Sequence, residues 1–308
     1  MIDPSPPRPQ RQGRAAAVEP LLLLLQGGLG NQLFQVVLAR ALAERQGRSL
    51  LVDPVLLGSR LRRLRGVTPR RPSPLLTRLV PELASPPWHR QLGARLAARW
   101  PGSGRDAVLT DADLARFADA GGLLERLGAI RVLRTHATHP VLYTPPFEAG
   151  WRAVAAALAP LAGSSAPPAL ALHARRADYL HPRSGFFPLD ASYYRRALAR
   201  LLEAPAALAG AGRPTVHVFS DDPAWCRAQL ADARWELQIE AGSPEGDLAR
   251  LASARALILS NSSFSAAAAH LARLRDPTTP VLCPDRWLLV EDGRLGDLRG
   301  PGWLALEA

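Results

Sequence analysis

From residue 170 to residue 283, short apolar runs alternate with stretches of helical spacing at intervals that leave few folds open. The runs at 170–173 (LALH), 215–219 (TVHVF), 236–239, 256–259 and 280–283 read as strands. The segments at 191–202, 223–230, 246–253 and 264–274 read as helices. Asp222 and Pro223 open one of those helices as cap and first residue. Strands and helices in this alternation predict a parallel sheet with right-handed crossovers, one half of a doubly wound α/β protein.

Three of these strands run into polar clusters: HARRADY at 173–179, FSDD at 219–222 and SNSSFS at 260–265. A parallel sheet brings all three carboxyl ends to one edge, where ligands of open α/β sheets sit. Arg175 and Arg176 then form a forked clamp for phosphate or carboxylate oxygens. Asp221 or Asp222 takes N–H groups of a base or ribose hydroxyls, and Ser262 and Ser263, at a helix start, take phosphate oxygens. Each cluster also has a plain structural reading: Asp178 as the ion-pair partner of a neighbouring arginine, Asp222 as a helix cap, the serines as capping hydroxyls. Three polar strand ends converging on one cleft favour a site.

The N-terminal half opens with a leucine run, 21–25, that breaks at QGGLGNQ and continues with apolar residues at helical spacing from Leu33 to Leu42. This is strand, glycine turn, helix. Asn31 is placed to cap the helix and Gly47 to end it, and a second strand follows at 49–52. The turn lacks both the GxGxxG pattern and the Walker lysine, so its glycines either hold a phosphate or let the backbone approach another part of the chain. Asn31 and Gln32 offer amides to sugar hydroxyls on that side of a cleft. Residues 54–109 are rich in Arg, Leu and Pro and give no clear pattern. A helix is expected over 111–127, a strand over 129–133, a loop over 135–146 and a helix over 151–161. His136 and His139, three apart with no third ligand nearby, read as surface or cleft residues and not as a metal site. GSSAPP at 163–168 reads as a linker. The expected organisation is a disordered tail at 1–19 and two domains, at 20–160 and 168–300.

The net charge of +11 and pI near 11.1 would normally suggest nucleic acid as a partner. All 38 basic residues are arginine, however, and they are scattered through helical patterns without interleaved aromatics, so no nucleic-acid role is expected. Cys226 and Cys283 form no metal or disulfide pattern. The leucine run is far short of the roughly 20 apolar residues that span a bilayer, and the N-terminus lacks the apolar core of a signal peptide. The expectation is a cytoplasmic protein with no transmembrane segment, meeting a membrane peripherally where its acceptor is lipid-linked.

With these residues in view, the chain resembles the α-1,2-fucosyltransferases of glycosyltransferase family 11. GGLGNQLFQ at 27–35, HARRADY, FSDD and SNSSFS match that family's motifs in order, over residues 21 to about 290. Smaller echoes are Tyr193-Tyr194 with Ala197, Trp225-Cys226, and CPDRW at 283–287. The resemblance implies a GT-B-like α/β fold, two facing Rossmann-like domains with a cleft between them, 20–160 facing the acceptor and 168–300 binding the nucleotide sugar. It also implies inverting transfer of L-fucose from GDP-fucose to a glycan hydroxyl, galactose O-2 above all, with no cofactor and no obligatory metal. Carried over residue by residue, it places Arg175 on the donor diphosphate, with Arg176 and Asp178 ordering the clamp and Asp178 the nearest base. His173 and Asp221 or Asp222 would contact the nucleotide, Ser262 and Ser263 the phosphates, and Asn31 and Gln32 the facing, acceptor side. The chain departs from the family at Ala177, where glycine is usual, and at Ala266 and Ala267, where a tryptophan pair is usual and whose loss would reshape the pocket. Transfer of another nucleotide sugar, or nucleotide-sugar binding without turnover, stays open.

Overall fold

A computed structural model describes residues 19–57, 71–80, 108–117, 120–126, 130–181, 184–203, 213–289 and 297–308. The proposed tail, apart from Glu19, and most of 54–109 lie outside the described residues.

Two all-parallel sheets build the molecule. In the first, β1 (Leu21–Leu24), β2 (Leu50–Asp53), β3 (Val108–Thr110) and β4 (Val132–Arg134) take the order β2-β1-β4-β3. The second holds β5 (Leu170–Ala174), β6 (Thr215–Ser220), β7 (Glu236–Ile239), β8 (Leu257–Ile258), β9 (Val281–Pro284) and β10 (Leu304–Leu306), in the order β10-β9-β8-β5-β6-β7. This is the mixed α/β, parallel-sheet class expected. β10 comes from beyond the limit drawn at residue 300, and β3 occupies a stretch left unassigned. The helix expected over 111–127 is instead two short pieces, Asp111–Leu114 and Ala120–Arg126.

The leucines of β1 are continuous because the strand is covered on both faces: Leu21 and Leu23 join the main core, while Leu22 and Leu24 pack with Val132 on the other side. The main core does not stop at the first sheet. It runs from Leu21, Phe34 and Trp151 into Ala266, Ala267, Ala268 and Ala269 of the helix Ser263–Arg275, all fully buried. Small side chains let this helix lie close against the helix Leu29–Gln46, so the two halves share one interior.

Gly47 ends the helix Leu29–Gln46 in the left-handed conformation, φ 60°, as its position implies. The start differs. Gly28, not Asn31, is the cap, and Gly30 lies inside the first turn. The reason is packing: a Cβ on Gly30 would stand 2.4 Å from Ser263 C and Phe264 N, so only glycine lets the two helix starts meet. Gly27, at φ +79°, supplies the sharp bend before it. Gln35 then locks the bend, its amide donating to Gln26 O at 2.7 Å and accepting from Gln26 N at 3.1 Å.

The junction between halves also buries His270. Its ring stacks on Tyr143 at 4.7 Å and meets Trp151 edge-on at 5.0 Å, and its Nε2 is buried with no hydrogen-bond partner among the described residues. Burial pushes this imidazole down to about 4, against a small opposite effect of Glu148. The folded state therefore refuses a proton that the unfolded chain accepts below about 6.5. Stability falls as pH drops from about 6.5 towards 4, by about 2 kcal/mol at pH 5 from this group. His270→Phe keeps the ring and removes the titration, so the Tm loss between pH 7 and pH 5 should shrink by about 3 °C. Thermal unfolding at the two pH values checks this; an unchanged loss would place the acid sensitivity elsewhere.

Candidate functional site

Both sheets point their carboxyl ends into one cleft of about 1060 Å³. From the second sheet come His173, Arg175, Asp178, Asp221, Ser262 and Ser263, and from the first half Asn31, Gln32, Arg71, Asp111 and His136. The strand-end residues 173, 221 and 262 meet because β5 lies between β6 and β8.

Arg175 is the cation on the second-sheet wall. Its Nη2 donates to Asp178 Oδ1 at 2.5 Å and its Nη1 lies 2.9 Å from Asp221 Oδ2. The two partners differ in weight. Asp178 is 58% exposed, and an exposed ion pair is worth about 0–1 kcal/mol, so an incoming anion displaces it at little cost. Asp221 is 21% exposed and also accepts the Arg176 N–H at 2.8 Å, which fixes it. The fork is therefore aimed by Asp221 and loosely covered by Asp178.

Arg176 and Asp222 do not face the cleft. Both lie past the strand ends, at Ala174 and Ser220, where the backbone has left the extended form. Arg176 lies with its guanidinium 3.7 Å from the Trp225 ring centre and pairs with Asp222 at 3.2 Å. Asp222 accepts from Trp225 N at 3.1 Å as the cap of the helix Pro223–Leu230. Both brace the site from behind: neither lines the cleft, Arg176 is placed to order the clamp, and of the alternatives Asp221 and Asp222 it is Asp221 that reaches the cleft.

His173 is buried at the base of the wall. Its Nδ1 lies 2.5 Å from Ser265 Oγ and 3.0 Å from Ser260 Oγ. Burial and then the charge of Arg175 push it down to about 3, so it stays neutral beside the guanidinium. Ser262 accepts from Phe264 N at 3.3 Å as the cap of the helix Ser263–Arg275, whose start faces the cleft with Ser263. The helix Leu29–Gln46 begins there too, with no side-chain cap at Gly28. Two helix starts supply partial positive charge that favours an anion. This matters because, among the described residues, the ionisable lining is acidic on balance: Asp111, Asp178, Asp221, Glu245 and Asp247 against Arg71 and Arg175. Local placement, not the chain's +11, selects the ligand here.

On the opposite wall Asn31 reaches the cleft, but the Gln32 amide is fully engaged. It donates to Gly27 O at 3.2 Å and Arg71 O at 3.1 Å, and accepts from Ser73 N at 3.0 Å. Gln32 thus holds the 71–73 segment in place and is not available to a sugar. Ser73 carries the tie across the cleft, donating to Glu245 at 2.5 Å. Ala266 and Ala267 are fully buried and do not line the cleft, so their small size tightens the junction of the halves and does not open the pocket. His139 is a local cap, accepting from Val141 N at 3.1 Å.

Sequence reasoning missed a group of aromatics. Tyr179 and Phe186 stack in parallel at 3.9 Å, and Phe264 and Trp287 complete an apolar floor beside Arg175. Asn261 ties this floor together, donating to Phe187 O at 2.7 Å and Trp287 O at 2.9 Å. The SNSSFS and CPDRW motifs contain three of these residues, but only the sheet order shows that they meet. Flat apolar surface beside a guanidinium suits a base attached to phosphates.

Two parallel α/β sheets with facing carboxyl edges and a cleft between them are the GT-B-like arrangement expected. Residues 158–281 match the family model described as glycosyl transferase family 11. No curated protein sequence matches the chain. Among solved structures it is similar to Arabidopsis thaliana FUT1 in complex with GDP, at 12% identity over 82% of this chain and 68% of that one, TM-score 0.42. It is also similar to the fucosyltransferase NodZ from Bradyrhizobium (13%, 82% and 93%, 0.41) and to the E. coli heptosyltransferase WaaC with ADP (13%, 94% and 93%, 0.43).

Proposed function

We propose that the protein transfers L-fucose from GDP-fucose to a glycan hydroxyl, galactose O-2 being the leading acceptor, with inversion at the anomeric carbon. The observation that carries this reading is Arg175, aimed into the cleft by Asp221 from within the family 11 region. When the donor splits, negative charge grows on the diphosphate while the sugar becomes cation-like. A preorganised guanidinium and the start of the helix Ser263–Arg275 stabilise that charge, so the reaction needs no obligatory metal and no cofactor. His173 and Asp221 shape the nucleotide side, Ser262 and Ser263 the phosphate side, and Asn31 the acceptor side. The acceptor oxygen attacks from the face away from the diphosphate, which gives inversion.

The test is a panel of nucleotide sugars, scored for binding and hydrolysis, followed by glycan acceptors with the preferred donor. GDP-fucose should bind best and be transferred. A preference for a different nucleotide sugar would replace the donor, and tight binding with no transfer to any acceptor would leave a binding protein. Among the described residues no helix is long and apolar enough to cross a membrane.

A further inference from the structure

The first sheet brings two ionisable residues to the cleft wall opposite Arg175. β3 and β4 are parallel neighbours with Thr110 level with Arg134, so the residues that follow each strand, Asp111 and Thr135-His136, meet at the sheet's edge. Asp111 Oδ2 lies 2.8 Å from His136 Nδ1. Asp111 Oδ1 accepts the His136 backbone N–H at 2.7 Å and the Thr135 hydroxyl. Burial alone would raise the Asp111 carboxyl, yet its hydrogen bonds and charge interaction with His136, with help from Thr135, hold it below the usual carboxylate range.

The loop that carries His136 is strained. Ala137, fully buried, has φ 56°, the only non-glycine positive φ among the described residues. Such a conformation is unfavourable for a side-chain-bearing residue and persists only where the surroundings impose it. The Ala137 N–H donates to Thr135 Oγ1 at 2.9 Å, so the same threonine that supports Asp111 also fixes the strained turn. The result is a histidine lining the cleft with Nδ1 on a carboxylate and, among the described residues, no hydrogen-bond partner on Nε2. An ionised Asp111 keeps the proton on Nδ1 and leaves the Nε2 lone pair for a ligand.

We infer that His136 is the general base that takes the proton of the acceptor hydroxyl, with Asp111 as its positioning residue. The inference rests on the glycosyl-transfer reading above. Inversion requires the acceptor to stand on the side of the sugar away from the diphosphate, and thus away from Arg175. Asp178 is on the wrong wall, paired to the guanidinium that faces the leaving group. Glu245 and Asp247 belong to the second half as well, and Glu245 holds Ser73. In the step, the hydroxyl proton passes to His136 Nε2 and the oxygen forms its bond to the anomeric carbon. The bond from that carbon to the diphosphate oxygen breaks, its electron pair staying with the phosphate. The imidazolium faces Asp111 and gives its proton to solvent after product leaves.

The experiment compares two nucleophiles in the full-length protein, with the donor preferred in the panel. A glycan hydroxyl must lose a proton to react, while azide has none to lose. His136→Ala and the more conservative His136→Gln should lower kcat for the glycan by about 10²-fold or more, with GDP affinity and the rate of glycosyl azide formation unchanged. Asp111→Asn should lower glycan kcat with acceptor KM unchanged, again sparing azide. Parallel losses with both nucleophiles would mean that the dyad is structural and would overturn the inference, as would glycan turnover that survives both His136 variants. A parent protein that binds no nucleotide sugar would overturn the transfer reading itself, and shows this before any variant is made.

Discussion

Arg175→Ala should cut turnover by about 10²–10³-fold, the usual cost of losing one preorganised group aimed at developing charge. Arg175 is the strand-end cation on the second-sheet wall, and its neighbour Arg176 cannot replace it from beneath Trp225. His173 cannot either: burial, the larger cause of its lowered pKa, remains without Arg175, and its Nδ1 is occupied by Ser265. GDP affinity should fall with turnover, but less, because the diphosphate gains charge only as the bond breaks. The fold should survive: the two carboxylates left behind, Asp178 and Asp221, are exposed enough to be hydrated, and Asp221 keeps the Arg176 N–H. Arg175→Lys restores a charge without the planar fork and should recover only part of the loss. Steady-state kinetics with GDP titration and a Tm for each variant separate these effects. Unchanged turnover in Arg175→Ala would leave Arg175, Asp178 and Asp221 as a salt-bridged loop end and nothing more.

The second sheet was legible because its strands are apolar and its helices are announced. Asp222-Pro223 caps a helix as read, and Ser243 with Pro244 opens the next, two residues earlier than periodicity placed it. β3 and β10 escaped notice for a physical reason: a three-residue strand carries almost no periodicity, and each exists because a neighbour offers it a ladder. In the site, the motifs located the right edge of the sheet but not the direction of each side chain. Past the strand ends the backbone turns, sending Arg175 and Asp221 into the cleft and Arg176 and Asp222 away, a direction the doubled residues RR and DD do not carry in sequence. The His136–Asp111 pair was beyond reach, since 25 residues separate the partners and only the pairing of β3 with β4 joins them. His136 looked idle because its partner could not be seen.

Gly30→Ala should be strongly destabilising. The added Cβ would sit 2.4 Å from two backbone atoms, Ser263 C and Phe264 N, and 2.7 Å from Ser263 O. No side chain can rotate out of the way, so the helix starts must part by about 1 Å to reach ordinary contact, and such overpacking costs about 1–3 kcal/mol or more. The separation strains the shared core, because Ala266, Ala267, Ala268 and Ala269 have no side-chain length with which to follow. A Tm fall of about 5 °C is expected. Gly47→Ala is the informative control: it also replaces a glycine of the same helix, at φ +60°, but in open space, and should cost only about 1 kcal/mol of backbone strain. The two variants differ in a second respect. Gly47 lies at the far end of the helix, whereas Gly30 presses on the residues that carry Ser262 and Ser263 into the cleft. Gly30→Ala should therefore lose GDP affinity even at temperatures where it remains folded, and Gly47→Ala should not. Equal Tm losses, or normal GDP binding by folded Gly30→Ala, would mean that the contact between the two helix starts is not what sets the phosphate side of the cleft.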